Sequence, residues 1–277
     1  MGLKAKFESM FPRVASLYRT LRDEIKSWSQ GHEMTPMGFL FSGDRSMQQG
    51  FFEPVETRAF TGLLNRVEVV LNVGANVGYY VCIALKHKKK VVAFEPLSSN
   101  YKKLLSNVYL NNYQKDFVLY PVALSDGSSS IVKMFGAGTG ASTLSGWANN
   151  SLFQNQLVSC SSLDEVLGQK LKGQRVLILI DVEGAEFPVL DGANVLMTSE
   201  PKPIWMVEVV IREHHPDLEN RILNATNIFE RFWEAGYVAR KSSDVSQVVS
   251  REVFQRILSG EDPEERNYIF VSGDVCL

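Results

Sequence analysis

The segment that decides the fold runs from Val69 to Pro96 and reads VVLNVGANVGYYVCIALKHKKKVVAFEP. It reads as an apolar strand, a glycine turn, a helix and a second apolar strand, which ends at the acidic residue Glu95. Gly74 and Gly78 bracket the turn, and their missing side chains let a ligand lie against the backbone and the amide donors of the next helix. A carboxylate at the position of Glu95 suits a ribose, because it can accept hydrogen bonds from two neighbouring hydroxyls. The segment therefore predicts a nucleoside site between two parallel strands.

The glycine spacing indicates which nucleoside binds. Dinucleotide sites carry a central glycine that makes room for a pyrophosphate, whereas this turn reads GANVG over residues 74–78. A ligand with a ribose and no phosphate fits better, and S-adenosylmethionine is the common ligand of that kind. Two alternatives stay open: a nucleotide-dependent oxidoreductase, and a cofactor-binding interaction module without catalysis.

Composition and charge narrow the class of protein. The chain has 277 residues, of which 45% are hydrophobic and 22% charged, as in one large soluble globular domain. A net charge of −2 provides no basic surface for a nucleic-acid backbone, so we expect no nucleic-acid partner. The cysteines Cys82, Cys160 and Cys276 are too far apart for a disulfide framework or a zinc motif and favour a reducing compartment. Because no apolar run reaches roughly 18 residues and no signal-peptide core is visible, we expect a cytoplasmic protein without a transmembrane segment.

Residues 1–34 form a first segment with its own pattern. Within it, residues 3–30 show an apolar stripe at helical spacing among charged residues. We expect this N-terminal helix to pack on the rest of the protein or on a second copy of the chain, which would form a homo-oligomer. Attachment to a membrane surface is the alternative.

Residues 35–277 form a single α/β domain in which strands and helices alternate. Its seven strands are predicted at residues 69–73, 91–94, 117–123, 174–180, 204–210, 236–240 and 267–272. This alternation predicts a mostly parallel sheet with crossover helices, and the last two strands are expected to form an antiparallel hairpin at its edge. Residues 125–150 are rich in serine and glycine, which predicts a long flexible insert that acts as a mobile lid over the acceptor.

Polar groups follow several predicted strands. The turn at Gly74, Glu95, Asp181 and Glu208 each come directly after a strand or close it. In an open parallel sheet, ligands bind over the carboxyl ends of the strands. We therefore expect these groups to meet in one crevice.

Eight segments carry a resemblance to a known family. They are TPMGFLFSG (35–43), GFFEP (50–54), LNVGANVGYY (71–80), VVAFEP (91–96), YPVALSD (120–126), GAS (140–142), SLDEVL (162–167) and IDVEGAEFPVLDGA (180–193). In these segments the chain resembles the FkbM-type S-adenosylmethionine-dependent methyltransferases. The resemblance implies a Rossmann-like class I methyltransferase fold with a seven-stranded sheet. It also implies methylation of a hydroxyl on a sugar, glycan or natural-product small molecule, with S-adenosylmethionine as cofactor.

The resemblance assigns roles to individual residues. The residues that it places around the cofactor are Glu53, Asn72, Gly74, Asn76, Gly78, Glu95, Ser125, Asp126 and Asp181. The glycine turn would hold the methionine part, Glu95 the ribose, and Ser125 with Asp126 the edge of the adenine. Glu53 would lie near the amino group of the cofactor. Asn72 occupies a position that is usually aspartate, and its amide accepts a hydrogen bond without adding negative charge.

A hydroxyl acceptor must also lose its proton, and the sequence offers several bases. The candidates are Asp181, Glu183, Glu208 and His214, the last beside a second histidine and with an ordinary pKa of about 6.5. Asp181 ranks first because it ends the most apolar strand. In the alternative, Asp181 and Glu208 hold a Mg²⁺ ion that acidifies the acceptor hydroxyl, although a metal is not expected.

Overall fold

The computed structural model describes residues 31–136, 138–144, 155–211, 217–262 and 265–273. The predicted helix of residues 3–30 and the candidate base His214 lie outside these ranges.

The strands of the described residues form three sheets. In chain order they are β1 (Glu33–Met34), β2 (Leu40–Phe41), β3 (Val69–Val73), β4 (Lys90–Phe94), β5 (Phe117–Tyr120), β6 (Ala123–Leu124), β7 (Ile131–Phe135), β8 (Asn155–Ser161), β9 (Val176–Ile180), β10 (Ile204–Glu208), β11 (Tyr237–Lys241) and β12 (Asn267–Ser272). The helices are α1 (Arg45–Gln48), α2 (Pro54–Leu63), α3 (Tyr79–Lys86), α4 (Ser98–Leu110), α5 (Leu163–Leu167), α6 (Glu186–Asp191), α7 (Asn194–Met197), α8 (Leu218–Glu234) and α9 (Arg251–Ser259).

Seven strands form the central sheet, in the order β11-β12-β10-β9-β3-β4-β5. Neighbouring strands run parallel except at β12, which is antiparallel to both β10 and β11. This topology confirms the predicted Rossmann-like class I methyltransferase fold with an antiparallel pair at one edge. The last two strands pair antiparallel at the sheet edge as predicted, with β12 also paired to β10. The strand predicted over residues 117–123 ends at Tyr120.

The central strands are buried on both faces because they are apolar along almost their whole length. All residues of β3 and β9 are buried, as in parallel sheets covered by helices. One face packs against a core that includes Trp205, Phe229 and Phe232, and the other against a core that includes Phe60 and Tyr80. The carboxyl ends of β3, β4, β9 and β10 are thereby fixed relative to one another.

The prediction of a flexible insert at residues 125–150 is wrong for its first part. β7 pairs antiparallel with β8, and β8 pairs parallel with β6, which makes a separate three-stranded sheet. The chain after β7 is then held against the protein: the Gly138 carbonyl accepts a hydrogen bond from Asn100 Nδ2 (3.1 Å), and Ser142 is fully buried. Residues 145–150 of the predicted lid lie outside the described residues.

Among the helices that the structure describes, none has both the length and the apolar character required to cross a membrane.

Candidate active site

The turn after β3 leaves no room for a side chain at its first glycine. Gly74 has a φ of 82°, and a Cβ atom there would lie 1.8 Å from the carbonyl oxygen of Asp181. Gly78 has a φ of 88°, and its Cβ would come within 2.9 Å of the Leu104 side chain. Both glycines are therefore required by close packing, and the first one brings the turn against the end of β9.

The backbone amides of this turn are already bonded to the neighbouring strand. The N–H groups of Gly74 and Ala75 donate to the Phe94 carbonyl at 3.0 and 2.9 Å. The N–H of Asn76 donates to Glu95 Oε2 at 2.9 Å. The turn is thus tied to β4 and has a fixed shape without a ligand.

Glu95 is a buried carboxylate that is held from three sides. Its side chain is 4% exposed. Besides the bond from Asn76, its Oε1 accepts hydrogen bonds from the Leu97 N–H (2.9 Å) and from Asn100 Nδ2 (3.3 Å). Burial raises the pKa of Glu95 to about 7, and these hydrogen bonds act in the opposite direction by favouring the ionised form.

Glu95 borders a cavity that holds about 540 Å³ of space, its open mouth included. The lining residues are Val73, Gly74, Asn76, Phe94, Glu95, Pro96, Leu97, Asn100, Val122, Ala123, Leu124, Met134, Gly138, Ala141, Thr143, Val182 and Ala185. A mostly apolar wall with a few polar groups is typical of small-molecule sites. Residues from β3, β4, β6, β7 and the loop after β9 build this wall, so the second sheet contributes to it directly.

Asp181 and Glu208 lie side by side at the ends of neighbouring strands. β9 and β10 pair in parallel with Ile180 level with Val207, so the next residue of each strand falls at the same height. The two carboxyl groups are therefore close neighbours, and each affects the pKa of the other. Burial raises the pKa of both groups well above the ordinary range, and the charge of Glu183 raises both further.

Glu53 lies close to this pair and bonds to a tyrosine. It has a φ of 41°, in the left-handed region that non-glycine residues seldom adopt. Its Oε2 accepts a hydrogen bond from the Tyr80 hydroxyl at 2.7 Å. Burial raises the pKa of Glu53, and the charge of Glu53 in turn raises the pKa of Asp181.

Two residues without a predicted role shape the loop after β9. Glu186 is 2% exposed, and its Oε1 accepts hydrogen bonds from the N–H groups of Gly184 (2.8 Å) and Val182 (3.4 Å). Ser142 Oγ donates to the carbonyl oxygen of Glu183 at 2.6 Å, so the second sheet is bonded to this loop. The sequence gives no sign of either contact, because an acidic residue at a helix start and a serine in a serine-rich stretch are both ordinary surface features.

The structure separates the predicted site residues into distinct places. Gly74, Asn76 and Glu95 line the cavity, whereas the acidic group of Glu53, Asp181, Glu183 and Glu208 does not. The loop after β9 joins the two places, since Val182 and Ala185 line the cavity within the same loop as Glu183.

The other predicted cofactor residues, Asn72, Ser125 and Asp126, do not line the cavity. Asn72 is 2% exposed in β3, and its Oδ1 has no hydrogen-bond partner among the residues described. Ser125 and Asp126 are not lining residues of the cavity; Asp126 is exposed and accepts hydrogen bonds from the backbone and hydroxyl of Ser128 (2.9 and 2.7 Å). Leu124, just before them, lines the cavity instead.

The acidic group does not offer the ligand set of a metal site. Within the described ranges, no cluster of three or more His, Cys, Asp or Glu residues is arranged to hold a metal ion. Two neighbouring carboxyl groups, those of Asp181 and Glu208, supply few of the oxygens that Mg²⁺ requires.

Fold, turn and cavity together define a Rossmann-like protein with a small-molecule cavity at the carboxyl ends of its strands. The sequence matches the family of the methyltransferase FkbM domain over residues 72–239. The match covers more than half of the 277 residues, and the chain belongs to this family, as the eight segments predicted. Its class of activity is therefore methyl transfer.

Comparisons with other known proteins concern the fold. No curated protein sequence matches the chain. An O-methyltransferase from Bacillus cereus in complex with SAH is 11% identical, with 92% of this chain and 89% of that chain covered and a TM-score of 0.45. The O-methyltransferase TomG from Streptomyces achromogenes, in complex with SAM, is 10% identical, with 99% and 100% covered and a TM-score of 0.45. A ribosomal protein L11 methylase from Lactobacillus delbrueckii is 12% identical, with 82% and 78% covered and a TM-score of 0.41. At these values the matches carry no argument about cofactor or acceptor.

Proposed function

We propose that this protein binds S-adenosylmethionine in the cavity beside the Gly74 turn and methylates a hydroxyl group of a small molecule, a sugar or a glycan. The observation that carries the proposal is the position of Glu95. Its Oε1 already accepts two hydrogen bonds, whereas Oε2 accepts one and keeps acceptor capacity, and the group borders the cavity beside the glycine turn. A hydroxyl of a ribose can donate to Oε2.

The rest of the cavity supports an adenosine ligand. Apolar side chains, among them Phe94, Leu97 and Met134, form walls against which a flat base can pack. Asn72 Oδ1 is a buried acceptor without a partner, beside the strand end where the methionine part would lie. A cofactor ammonium or a water would supply the missing donor.

The acidic group supports methyl transfer to an oxygen. Bound S-adenosylmethionine supplies an activated methyl group on a positively charged sulfur. Several ionised carboxylates close to that charge would stabilise the reactant more than the transition state. Burial reduces this effect at Glu208 and Glu53, because it raises the pKa of both groups and favours their neutral forms.

Asp181 is the proposed base for the acceptor hydroxyl. It lies at the end of a fully buried strand, and its carbonyl oxygen lies directly beneath Gly74 of the turn. A positioned base of this kind accelerates proton removal by about a hundred- to ten-thousandfold. Glu183 and His214 remain the other candidates.

The turn argues against the oxidoreductase alternative. A pyrophosphate is bound by free backbone N–H groups at such a turn. Here the N–H groups of Gly74, Ala75 and Asn76 are bonded to Phe94 and Glu95. A dinucleotide would have to break these bonds.

The test is calorimetric titration with S-adenosylmethionine, S-adenosylhomocysteine and NADH, followed by a product screen with methyl-labelled cofactor. We expect both S-adenosyl ligands to bind and NADH not to bind. Glu95→Ala should weaken binding by about 1.5–3 kcal/mol, roughly ten- to a hundredfold, and Glu219→Gln, an exposed residue of α8, is the matched control. Binding of NADH without binding of either S-adenosyl ligand would refute the proposal. Cofactor binding without any labelled product would instead favour the alternative of an interaction module without catalysis.

Three further expectations stay predictions. They are a cytoplasmic location, a partner that is not a nucleic acid, and a homo-oligomer formed through the N-terminal segment.

A further inference from the structure

Asn100 joins two parts of the cavity through one side chain. Its Nδ2 donates to Glu95 Oε1 at 3.3 Å and to the Gly138 carbonyl at 3.1 Å. An amide nitrogen carries two hydrogens, so it can make both bonds at once. Because the Gly138 carbonyl can only accept, the nitrogen of the amide, and not its oxygen, must face both partners. Asn100 is 5% exposed, and it lines the cavity together with both partners.

The first turn of α4 brings Asn100 to Glu95. Residues 95–97 connect β4 to α4, and the N–H of Asn100 donates to the Leu97 carbonyl at 3.0 Å, which fixes the start of the helix. The N–H of Leu97 and the side chain of Asn100 reach the same oxygen of Glu95, Oε1. The other oxygen, Oε2, accepts from the Asn76 N–H and keeps acceptor capacity for a ligand. The helix start therefore holds one oxygen and leaves the other available.

The second partner of Asn100 belongs to residues 138–144, which form another wall of the cavity. The residues of this segment that line the cavity are Gly138, Ala141 and Thr143. Towards its other end, Ser142 Oγ donates to the Glu183 carbonyl at 2.6 Å. The segment is thus attached at one end to the residue that holds Glu95 and at the other to the loop after β9.

Glu95 is the charged group of this cavity. Among the described residues that line it, no other carries a charge. The hydrogen bonds from Leu97, Asn76 and Asn100 each favour the ionised form and so lower the pKa of Glu95 against the effect of burial. Two of these donors are backbone N–H groups, which any residue except proline would supply. The side-chain amide of Asn100 is the donor that depends on the type of residue.

We propose that Asn100 is a positioning residue that holds Glu95 Oε1 and the Gly138 carbonyl with one amide, so that Oε2 is presented to a ribose hydroxyl and residues 138–144 are fixed as a wall of the adenosine site. This inference rests on the proposed function. It adds a residue that acts on the ligand through Glu95 and through the segment.

The decisive comparison is between Asn100→Ala and Ser142→Ala. Asn100→Ala removes the amide that holds both Glu95 and the segment, whereas Ser142→Ala releases residues 138–144 from the opposite end and leaves the bond to Glu95 in place. If Asn100 acted on the segment alone, the two variants would behave alike. Asn100→Asp keeps the size of the side chain and lacks the N–H donors, so it repeats the test without a cavity. Glu219→Gln, an exposed substitution, is the control.

The first measurements use the ligand-free protein. Hydrogen exchange across residues 138–144 should become faster in both alanine variants. Urea unfolding between about pH 5 and pH 9 should separate them, because loss of the amide raises the pKa of Glu95 further, by about one pH unit. A carboxyl group whose pKa is raised by folding loses its stabilising contribution as pH rises. The unfolding equilibrium of Asn100→Ala should therefore shift about tenfold more over this range than that of the wild type, whereas Ser142→Ala should show the pH dependence of the wild type.

The second measurement isolates the contribution of the ribose hydroxyls. Calorimetric titration gives Kd for adenosine and for 2′,3′-dideoxyadenosine, which lacks both hydroxyls. Asn100→Ala should reduce the ratio of the second Kd to the first about fivefold at pH 7, because Glu95 is then ionised in about one molecule in eleven instead of one in two. Ser142→Ala should keep the ratio of the wild type even where both ligands bind more weakly.

The outcomes separate the two proposals. If the wild type binds neither S-adenosylmethionine nor adenosine, the proposed function is wrong, and the ligand-free measurements still decide whether Asn100 holds Glu95 and residues 138–144. If these ligands bind but the ratio is the same in Asn100→Ala and the wild type, only the inference about Asn100 is wrong. Unchanged hydrogen exchange in Asn100→Ala, or equal changes of the ratio in both alanine variants, would also overturn it.

Discussion

The affinity of this protein for adenosine ligands should depend on pH through Glu95. A ribose hydroxyl donates a hydrogen bond to this group, which favours the ionised carboxylate. Burial raises the pKa of Glu95 to about 7 in the free protein, so close to neutral pH roughly half of the molecules must release a proton before they bind. We therefore expect weaker binding and greater proton release as pH falls below about 7.

The size of the change in Kd follows from the fraction of the free protein in which Glu95 is ionised. With a pKa of about 7, half of the free protein is ionised at neutral pH and about one molecule in a hundred is ionised two pH units lower. If only the ionised form binds, Kd rises about fiftyfold over this interval, or about 2.3 kcal/mol. At alkaline pH the affinity should become constant.

The effect of pH on folding stability through Glu95 is opposite in direction to its effect on ligand affinity. Because folding raises the pKa of Glu95 from 4.5 to about 7, the protonated group is the one that stabilises the free protein. Its contribution is complete at acidic pH and declines by up to about 3 kcal/mol as pH rises through this range. Weaker binding at low pH therefore cannot be explained by loss of folding at this residue.

The assay is isothermal titration with 5′-methylthioadenosine, which keeps the adenine and ribose but lacks the titrating amino and carboxyl groups of the full cofactor. Titrations in two buffers with different ionisation enthalpies count the protons that are released. Glu95→Gln should bind weakly at every pH, and Glu219→Gln should behave as the wild type does. A constant Kd between about pH 5 and pH 8 with no proton release would refute the reasoning, as would an unchanged pH dependence in Glu95→Gln.

Three further predictions concern the loops around the cavity. Glu186→Gln should stabilise the protein above neutral pH by up to about 3 kcal/mol, because burial raises the pKa of Glu186 from 4.5 to about 7 and a neutral amide avoids the ionisation. Urea unfolding of the wild type and the variant at two pH values measures this difference. Equal stability of both proteins at high pH would contradict the prediction. Ser142→Ala should lower the free energy of unfolding by about 1–3 kcal/mol, because it removes the hydrogen-bond donor to the Glu183 carbonyl. Hydrogen exchange across residues 138–144 should then become faster. Unchanged exchange would contradict the proposed anchoring role. Gly74→Ala should destabilise the fold by about 3 kcal/mol or more, because the Cβ of alanine would collide with the backbone of Asp181. A variant with normal stability in urea unfolding that only binds less cofactor would contradict this prediction.

The sequence predicted those parts of the fold that are set by apolar patterning. β3 and β9 are continuous apolar runs between turn residues, so their position and burial follow from composition alone. The rule for strand ends in parallel sheets places Glu95, Asp181 and Glu208 at one edge of the sheet, but it does not show that only Glu95 among them lines the cavity. β7 could not be predicted in this way, because only one of its residues is fully buried and its partner β8 begins only at Asn155.

The bonding within the site also depends on contacts that sequence patterns do not show. Nothing in the segment after β3 reveals that the N–H of Asn76 is already bonded to Glu95. In the same way, the bond from Ser142 to Glu183 joins residues that are 41 positions apart. Such contacts arise from the packing of the two sheets against each other, which local periodicity does not encode.

The position of β12 has a consequence for how the protein is made. β12 is the last strand of the central sheet in sequence, yet it lies between β10 and β11 and pairs with both. While the chain is still on the ribosome, β10 has no partner on that side, and its apolar edge, which ends at Glu208, stays open to other chains until residues 267–272 have emerged. Chaperone demand and yield should thus depend on how soon residues 267–272 become available, and a chain that stops before residue 267 leaves this edge unpaired.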